Sequence, residues 1–336
     1  MEGSQTSGTL RSVQVLRGAS AMAVALYHAL QWRDGGFDVG RAGVDVFFVI
    51  SGLIMWRVTA GRDVSPRAFL WRRVTRVAPL YWLATLGVAA MAVAWPGFLP
   101  EVRPGWSHLF LSLAFIPHLD PRGLPFPTLP PGWSLTYEAV FYLVFAAALA
   151  GPRAWRARMV TGALVAITAA GFILADPVYF LGANPMLLQF AAGVGLGAWI
   201  ESNGRPDPVL GATFLVTAAI LWAVVETSGL FSELWRPLLW GVPAWLTVAG
   251  ALAFEREPRD RAAPSILERA GVKAGDASYA IYLLHLPVTA VVAHTLGWAN
   301  PMLFAAVSLA ASALAGFAAH TWLERPLTQA MRRLAG

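Results

Sequence analysis

Arg17 and His28 are the first residues in this sequence whose types and spacing could do chemistry. They stand eleven positions apart in an apolar run, LRGASAMAVALYH, at residues 16–28. In an α-helix this separation is about 1100° of rotation, so both side chains lie on one stripe, roughly 16 Å apart along the axis. A guanidinium group is suited to binding an anion, and an imidazole three turns away could accept a proton.

Two carboxylates are predicted to lie at the depth of this imidazole. Asp45 occurs near the start of a second apolar segment, AGVDVFFVISG, and Glu138 lies about one turn into another, WSLTYEAVFY. Titratable groups inside a bilayer are costly, which makes each a candidate for function. A carboxylate that orients His28 would make this histidine a general base, and the choice between Asp45 and Glu138 stays open. Alternatively, each group is bonded to its own backbone or lies among lipid headgroups.

A cluster of arginines occurs in WRRVTRVAPLYW, near the membrane side predicted for Arg17. Arg73 and Arg76 are three residues apart and therefore adjacent on a helix face. Guanidinium groups grouped at a helix mouth suit phosphate binding. The alternative is a basic loop that contacts lipid headgroups.

The segments GDASYAIYLLHLP and WSLTYEAVFY contain the secondary candidates. Tyr282 and His285 share one helix face, and His285 is either a second acid or base or a packing residue. Ser134 is expected to cap the start of its helix. His320, Glu324 and Arg325 are predicted to form a local ion pair. The remaining histidines lack metal-ligand spacing, so no metal is expected.

Composition indicates a membrane protein. The 336 residues are 57% hydrophobic and 13% charged, whereas a soluble domain is about 25% charged. Absence of cysteine excludes disulfides and thiolate chemistry. The net charge of +6 comes from arginines in short loops beside apolar runs, which indicates membrane topology and no nucleic-acid partner. No cleavable signal peptide is expected, since the first eleven residues are polar.

The apolar runs predict an all-α integral membrane protein with a bundle of about ten transmembrane helices. The expected spans are 12–31, 42–59, 78–97, 133–150, 158–175, 183–200, 209–226, 236–254, 278–297 and 302–323. The apolar segment 106–117 is too short to span and is expected to be interfacial or re-entrant.

Charge bias predicts that both termini are cytoplasmic. With ten spans, most of the 25 Lys and Arg residues fall on the inner side, and the outer segments hold only Arg33, Arg41, Arg103, Arg122 and Arg236. The expected organisation is a single transmembrane domain over residues 10–325, with short cytoplasmic tails at 1–9 and 326–336.

Five sequence motifs, taken in order, resemble those of the membrane-bound acyltransferase 3 family. They are LRGASAMAVALYHA, GVDVFFVISGLIM, RRVTRVAPLYWL, GWSLTYEAVFYLVF and GDASYAIYLLHLP. The resemblance covers about residues 10–325, and the short length is similar to that of the branch that acetylates exopolysaccharides and other cell-surface sugars.

This resemblance implies site residues, a donor and an acceptor. Such enzymes commonly move acetyl from acetyl-CoA, or another acyl group from its acyl-CoA, to hydroxyls of cell-surface sugars. The residues that match the family's functional motifs are Arg17, His28, Asp45, Arg73, Arg76 and Glu138. Tyr137 departs from the pattern, since many relatives carry an acidic residue there, and this puts in doubt a carboxylate pair.

The sequence therefore predicts a membrane-embedded O-acyltransferase of the bacterial cytoplasmic membrane. Phosphates of the donor would lie near Arg17, Arg73 and Arg76, and its thioester would reach His28. That histidine acts either as general base or as a covalent acyl relay. The expected partners are an acyl-CoA, a carbohydrate or glycolipid acceptor and the lipid bilayer.

Two other classes of protein could explain intramembrane charges. A proton-coupled transporter of a small solute would also place His, Asp and Glu at depth, but the internal symmetry typical of transporters is not visible. A non-catalytic partner of a polysaccharide synthase would need neither His28 nor Arg17.

Overall fold

In the computed structural model of this protein, the regular secondary structure of the described residues is entirely helical. The described residues are 10–33, 35–99, 102–103, 105–174, 185–230, 232, 234–255, 263–297 and 300–333, and no β-strand occurs among them. Some predicted segments lie outside the described residues, namely the tail at 1–9, residues 334–336, residue 175 and residues 183–184.

The described part of the first half of the chain contains six α-helices. The bounds are α1 (Arg11–Gln31), α2 (Gly43–Thr59), α3 (Pro66–Ala94), α4 (Trp106–Leu113), α5 (Trp133–Leu149) and α6 (Arg153–Leu174). Short 3₁₀ turns at Asp38–Ala42 and Pro130–Gly132 precede α2 and α5. Ser65 caps α3 by accepting a hydrogen bond from the amide of Ala68, and Pro66 fits the first helical position.

The second half contains two π-helical turns. Its α-helices are α7 (Leu187–Asn203), α8 (Pro208–Ser228), α9 (Val242–Ala253), α10 (Ile266–Leu296), α11 (Pro301–Ala319) and α12 (Arg325–Arg333). One π turn, Pro237–Gly241, leads into α9, and the other, His320–Glu324, joins α11 to α12. Asp207 and Asn300 cap α8 and α11 in the same way as Ser65 caps α3.

The fold is that of a multi-pass membrane protein. Among the described residues, seven helical segments are long and apolar enough to cross a membrane: Asp38–Thr59, Pro66–Ala94, Pro130–Leu149, Arg153–Leu174, Pro208–Ser228, Ile266–Leu296 and Pro301–Arg333. Helices also occupy the three other predicted spans, as α1, α7 and the segment Pro237–Ala253. The all-α class is thus confirmed, while the count of ten spans and the cytoplasmic termini stay predictions.

The apolar segment at 106–117 forms a helix of only eight residues, α4. It exposes Trp106 and Phe110 and buries His108 and Ser112 on the other side. Eight residues rise about 12 Å, which is less than half of a bilayer core. This length agrees with the prediction of a segment that does not span.

Close helix contacts bring the candidate residues together. Helix α1 packs along α10, and a Cβ at Gly275 would overlap the backbone of Gln14. Helix α2 packs along α7, where a Cβ at Gly193 would overlap the carbonyl of Val49. Small residues let membrane helices approach this closely. These contacts fix the walls of the site described next.

Candidate functional site

A cavity of about 160 Å³ lies among α1, α2, α3, α5 and α10. Three arginines from two different helices line it: Arg17 of α1, and Arg73 and Arg76 of α3. Of the other candidate residues, Glu138, Ser134 and Tyr282 also line it. The structure thus brings six of the nine candidates into one cavity.

The three guanidinium groups differ in how fully they are bonded within the described part of the chain. Arg73 has no hydrogen-bond partner there, its Nε is buried, and its guanidinium lies 5.8 Å from the ring centre of Phe69. Arg17 has one long hydrogen bond, of 3.4 Å, to the side-chain oxygen of Gln14. Arg76, in contrast, is ion-paired with Glu324. Arg17 and Arg73 are therefore the least fully bonded of the three cations, and Arg76 keeps donors that Glu324 does not use.

Among the described residues, Glu138 is the one carboxylate that lines this cavity. Its Oε1 accepts hydrogen bonds from the hydroxyl of Tyr142 at 2.5 Å and from that of Ser51 at 3.1 Å. Three arginines and this carboxylate therefore line the same cavity. The opposite charge of Glu138 partly offsets the cost of keeping cations inside the bundle.

Ser134 and Tyr282 line the cavity and are hydrogen-bonded to each other. The hydroxyl of Tyr282 lies 2.9 Å from Ser134 Oγ and 3.1 Å from the carbonyl oxygen of Pro131, and Ser134 donates to that carbonyl at 3.1 Å. The expected N-cap role of Ser134 is wrong. Ser134 is the second residue of α5, and the cap position belongs to Gly132.

His28 and His285 lie outside the cavity lining and contact each other. His285 Nε2 is 3.2 Å from His28 Nδ1, and the ring centres are 4.9 Å apart. The ring of Tyr282 connects this histidine pair to the cavity, since it lines the cavity and its centre lies 5.8 Å from that of His285. The sequence left His285 as either a second acid or base or a packing residue, and the structure places its ring beside that of His28.

Backbone carbonyls fix the tautomers of this histidine pair. His28 Nδ1 lies 2.9 Å from the oxygen of Val24, and His285 Nδ1 lies 2.6 Å from that of Tyr282. A carbonyl oxygen accepts and cannot donate, so we assign the proton of each neutral ring to Nδ1. His28 Nε2 then carries a lone pair, which is what a base or a nucleophile requires.

Asp45 is bonded elsewhere, which corrects the prediction that it or Glu138 orients His28. The Asp45 side chain is fully buried and accepts hydrogen bonds from Arg236 Nε at 3.2 Å and from an Arg236 terminal nitrogen at 2.9 Å. Gln189 donates to the same carboxylate. Within the described part of the chain, His28 is bonded to Val24 and His285 and to neither carboxylate.

Sequence reasoning missed several residues that support these groups. Arg236 was assigned to an outer loop, yet it is buried against Asp45, 191 positions away in the chain. Glu324 was expected to pair locally, and it does bond His320, but it also pairs with Arg76, 248 positions away. No local pattern reports contacts over such separations. An unpaired charge inside a membrane is costly, so the sequence did indicate that each of these charges has a partner. It did not indicate which residue that partner is.

Comparison with known proteins gives matches over most of the chain. A protein family described as an acyltransferase domain matches residues 10–321. The exopolysaccharide production protein ExoZ of Rhizobium meliloti is 39% identical over 90% of this chain and 94% of its own length. BcsY of Komagataeibacter xylinus, named as a membrane-bound transacylase, is 30% identical over 82% of this chain and 72% of its own.

A more distant match is the peptidoglycan O-acetyltransferase OatA of Listeria monocytogenes. It is 23% identical over 94% of this chain, which covers 55% of that longer protein. No solved structure gives a significant match.

Proposed function

Because this chain belongs to the acyltransferase 3 family, we propose that it transfers an acetyl group from acetyl-CoA to a hydroxyl of a surface polysaccharide or of its lipid-linked precursor. Membership of the family makes it a membrane-bound acyltransferase. Two relatives are named for exopolysaccharide production and for peptidoglycan O-acetylation. These names support a polysaccharide acceptor, and the bacterial cytoplasmic membrane is the proposed location.

The observation that carries the donor assignment is the set of three arginines around one cavity. Arg73 has no hydrogen-bond partner among the described residues, and Arg17 has only a long one. Coenzyme A carries several phosphate groups, and guanidinium groups bind phosphate through short, charge-assisted hydrogen bonds. The donor's phosphates would therefore occupy this cavity, which faces the cytoplasm in the proposed topology.

His28 is the proposed base for the transfer step. The acceptor oxygen attacks the thioester carbon, the new C–O bond forms, and the C–S bond breaks. The hydroxyl proton passes to His28 Nε2, and the leaving thiolate takes up a proton to give free coenzyme A. In the covalent alternative, Nε2 attacks the thioester carbon, the C–S bond breaks, and the thiolate leaves and takes up a proton. The acceptor hydroxyl then attacks the acyl carbon, the C–N bond breaks, and the hydroxyl proton passes to the released imidazole.

Asp45 and Glu138 take other roles in this proposal. Glu138 balances the cavity arginines, and Asp45 holds α2 to the buried Arg236. His285 replaces the carboxylate as the group beside His28. A transporter is not favoured, because the relatives are acyltransferases and because paired arginines at one mouth have no evident use in a proton-coupled carrier.

The test is O-acetyl content of the surface polysaccharide in cells that carry His28→Ala at normal membrane levels. We expect acetylation to fall at least about a hundredfold, since a positioned general base contributes about 10²–10⁴. His294→Ala is a matched control, because His294 also bonds a carbonyl four residues back but lies beside Phe98. Unchanged acetylation in His28→Ala would rule out the catalytic assignment.

A further inference from the structure

Glu324 is a buried carboxylate just outside the cavity lining. Its side chain is 1% exposed and lies in the π turn His320–Glu324. Oε1 accepts from a terminal nitrogen of Arg76, and Oε2 lies 2.7 Å from His320 Nδ1. Both oxygens are thus bonded to ionisable side chains. These contacts offset part of the cost of burying the carboxylate.

The π turn brings this carboxylate to the cavity wall. It packs against α3, which carries Arg76, and also against α10. A π turn accommodates an extra residue within a helix and often occurs at functional sites. His320 is buried as well, and its Nε2 has no hydrogen-bond partner among the described residues. The turn therefore presents His320 and Glu324 together behind a residue of the proposed donor site.

Arg73 and Arg76 lie on the same helix and line the same cavity, yet they are held differently. Arg76 is fixed by an ion pair, and Arg73 has no hydrogen-bond partner among the described residues. A long arginine side chain has many rotamers, and confining it before a ligand arrives lowers the entropy cost of binding. Arg76 thus has a supporting carboxylate that Arg73 lacks.

We propose that Glu324 and His320 are positioning residues of the donor site. Glu324 holds the guanidinium of Arg76 at the cavity wall so that its remaining donors face the phosphate of the donor. His320 holds Glu324 from behind. This inference rests on the proposed function, because it assumes that a phosphate-bearing donor occupies the cavity.

The test is a titration of the detergent-purified full-length protein with coenzyme A. Arg76→Ala removes the ligand contact, and we expect it to weaken binding about tenfold or more. Glu324→Ala should weaken binding several-fold, and Glu324→Gln, which keeps an oxygen acceptor for Arg76, should recover part of the loss. In the Arg76→Ala background, Glu324→Ala should have no further effect, because residues that act through one contact are not additive.

The control is Glu255→Gln, which alters another buried carboxylate, bonded to Ser12 and absent from the cavity lining. It should leave coenzyme A binding unchanged, whatever it does to thermal stability. The positioning role is overturned if Glu324→Ala binds like the unaltered protein, or if its effect adds fully to that of Arg76→Ala. If instead Arg76→Ala and Arg73→Ala both bind coenzyme A normally, the donor site itself is wrong, and the positioning role fails with it.

Discussion

Two groups of charged side chains lie inside the bundle, and they differ in how completely they are bonded. The first, the Asp45 cluster, consists of Asp45, Gln189 and Arg236. Both oxygens of the Asp45 carboxylate accept hydrogen bonds there, and Arg236 also forms an ion pair with it. The second is the arginine cavity, where Arg73 has no hydrogen-bond partner among the described residues. The first arrangement stabilises the fold, whereas the second leaves charge available to a ligand.

This difference shows why the depth of a charged residue does not define its role. Asp45 and Glu138 both occur about one turn into a helix and looked equivalent in the sequence. Asp45 is fully buried beside Arg236, and Glu138 faces a cavity with three arginines. A buried charge with a complete set of partners needs no ligand, whereas an incompletely bonded cation can bind one.

The largest expected effect comes from breaking the Asp45 cluster. Arg236→Met leaves the Asp45 carboxylate buried without its cation, which should cost about 3–5 kcal/mol of stability. Thermal unfolding in detergent, followed by size-exclusion chromatography, measures this loss. Adding Asp45→Asn removes the stranded charge and should restore much of the stability. If Arg236→Met unfolds at the normal temperature, the cluster is not structural.

The same double variant sharpens the comparison for Asp45. In the proposed function this residue holds α2 and takes no part in proton transfer. Asp45→Asn with Arg236→Met should therefore acetylate in proportion to the amount of folded protein. A folded double variant that has lost acetylation would instead return Asp45 to the catalytic residues.

A smaller effect is expected at the pair His28 and His285, which is bonded neither to the Asp45 cluster nor to the arginines of the cavity. His285→Ala removes the ring beside His28 Nδ1, but the carbonyl of Val24 still fixes the His28 tautomer. We expect acetyl transfer to fall about tenfold, which is less than for His28→Ala. A misplacement of about 1 Å can lower the rate of a reaction about 10²-fold, and a smaller shift of His28 lowers it less. Acetyl transfer equal to that of the His294→Ala control would make His285 a packing residue.

The smallest effect is a pH dependence in the segment 106–128, outside the predicted spans. His108 Nδ1 lies 2.7 Å from His118 Nε2, and burial, followed by repulsion from His118, lowers the pKa of His108 below its ordinary value of 6.5. The unfolded segment then binds the proton more readily than the folded one, so stability falls as pH drops below 6.5. Protection factors for amide hydrogen exchange across this segment, taken relative to the intrinsic rate at each pH, should fall on acidification, and a His108→Asn variant should lose most of that response.

The sequence predicted which arginines line the cavity better than it predicted the bonding partners of the candidate residues. Helical spacing placed Arg73 beside Arg76, and apolar periodicity placed Arg17 on a stripe with His28. The arginines of both helices do share a cavity. The apolar runs also predicted a helix at each expected span, because hydropathy reports on the segment itself.

Partners distant in the chain could not be predicted in this way. The partner of Asp45 is Arg236, that of Arg76 is Glu324, and that of His28 is His285. Each pair is created by helix packing, and a single sequence contains no record of which helices pack together. The incorrect pairing of His28 with a carboxylate arose because equal depth was taken as proximity.

The most direct test of the account is coenzyme A affinity in Arg73→Ala, compared with Arg72→Ala on the same helix. Arg72 is exposed and lies outside the cavity lining, whereas Arg73 lines the cavity. The account predicts that Arg73→Ala weakens coenzyme A binding about tenfold or more, because a hydrogen bond to a charged group contributes roughly 1.5–3 kcal/mol. It also predicts unchanged thermal stability for Arg73→Ala and normal binding for Arg72→Ala. Equal affinity in the two variants would contradict the assignment of the arginine cavity as the donor site.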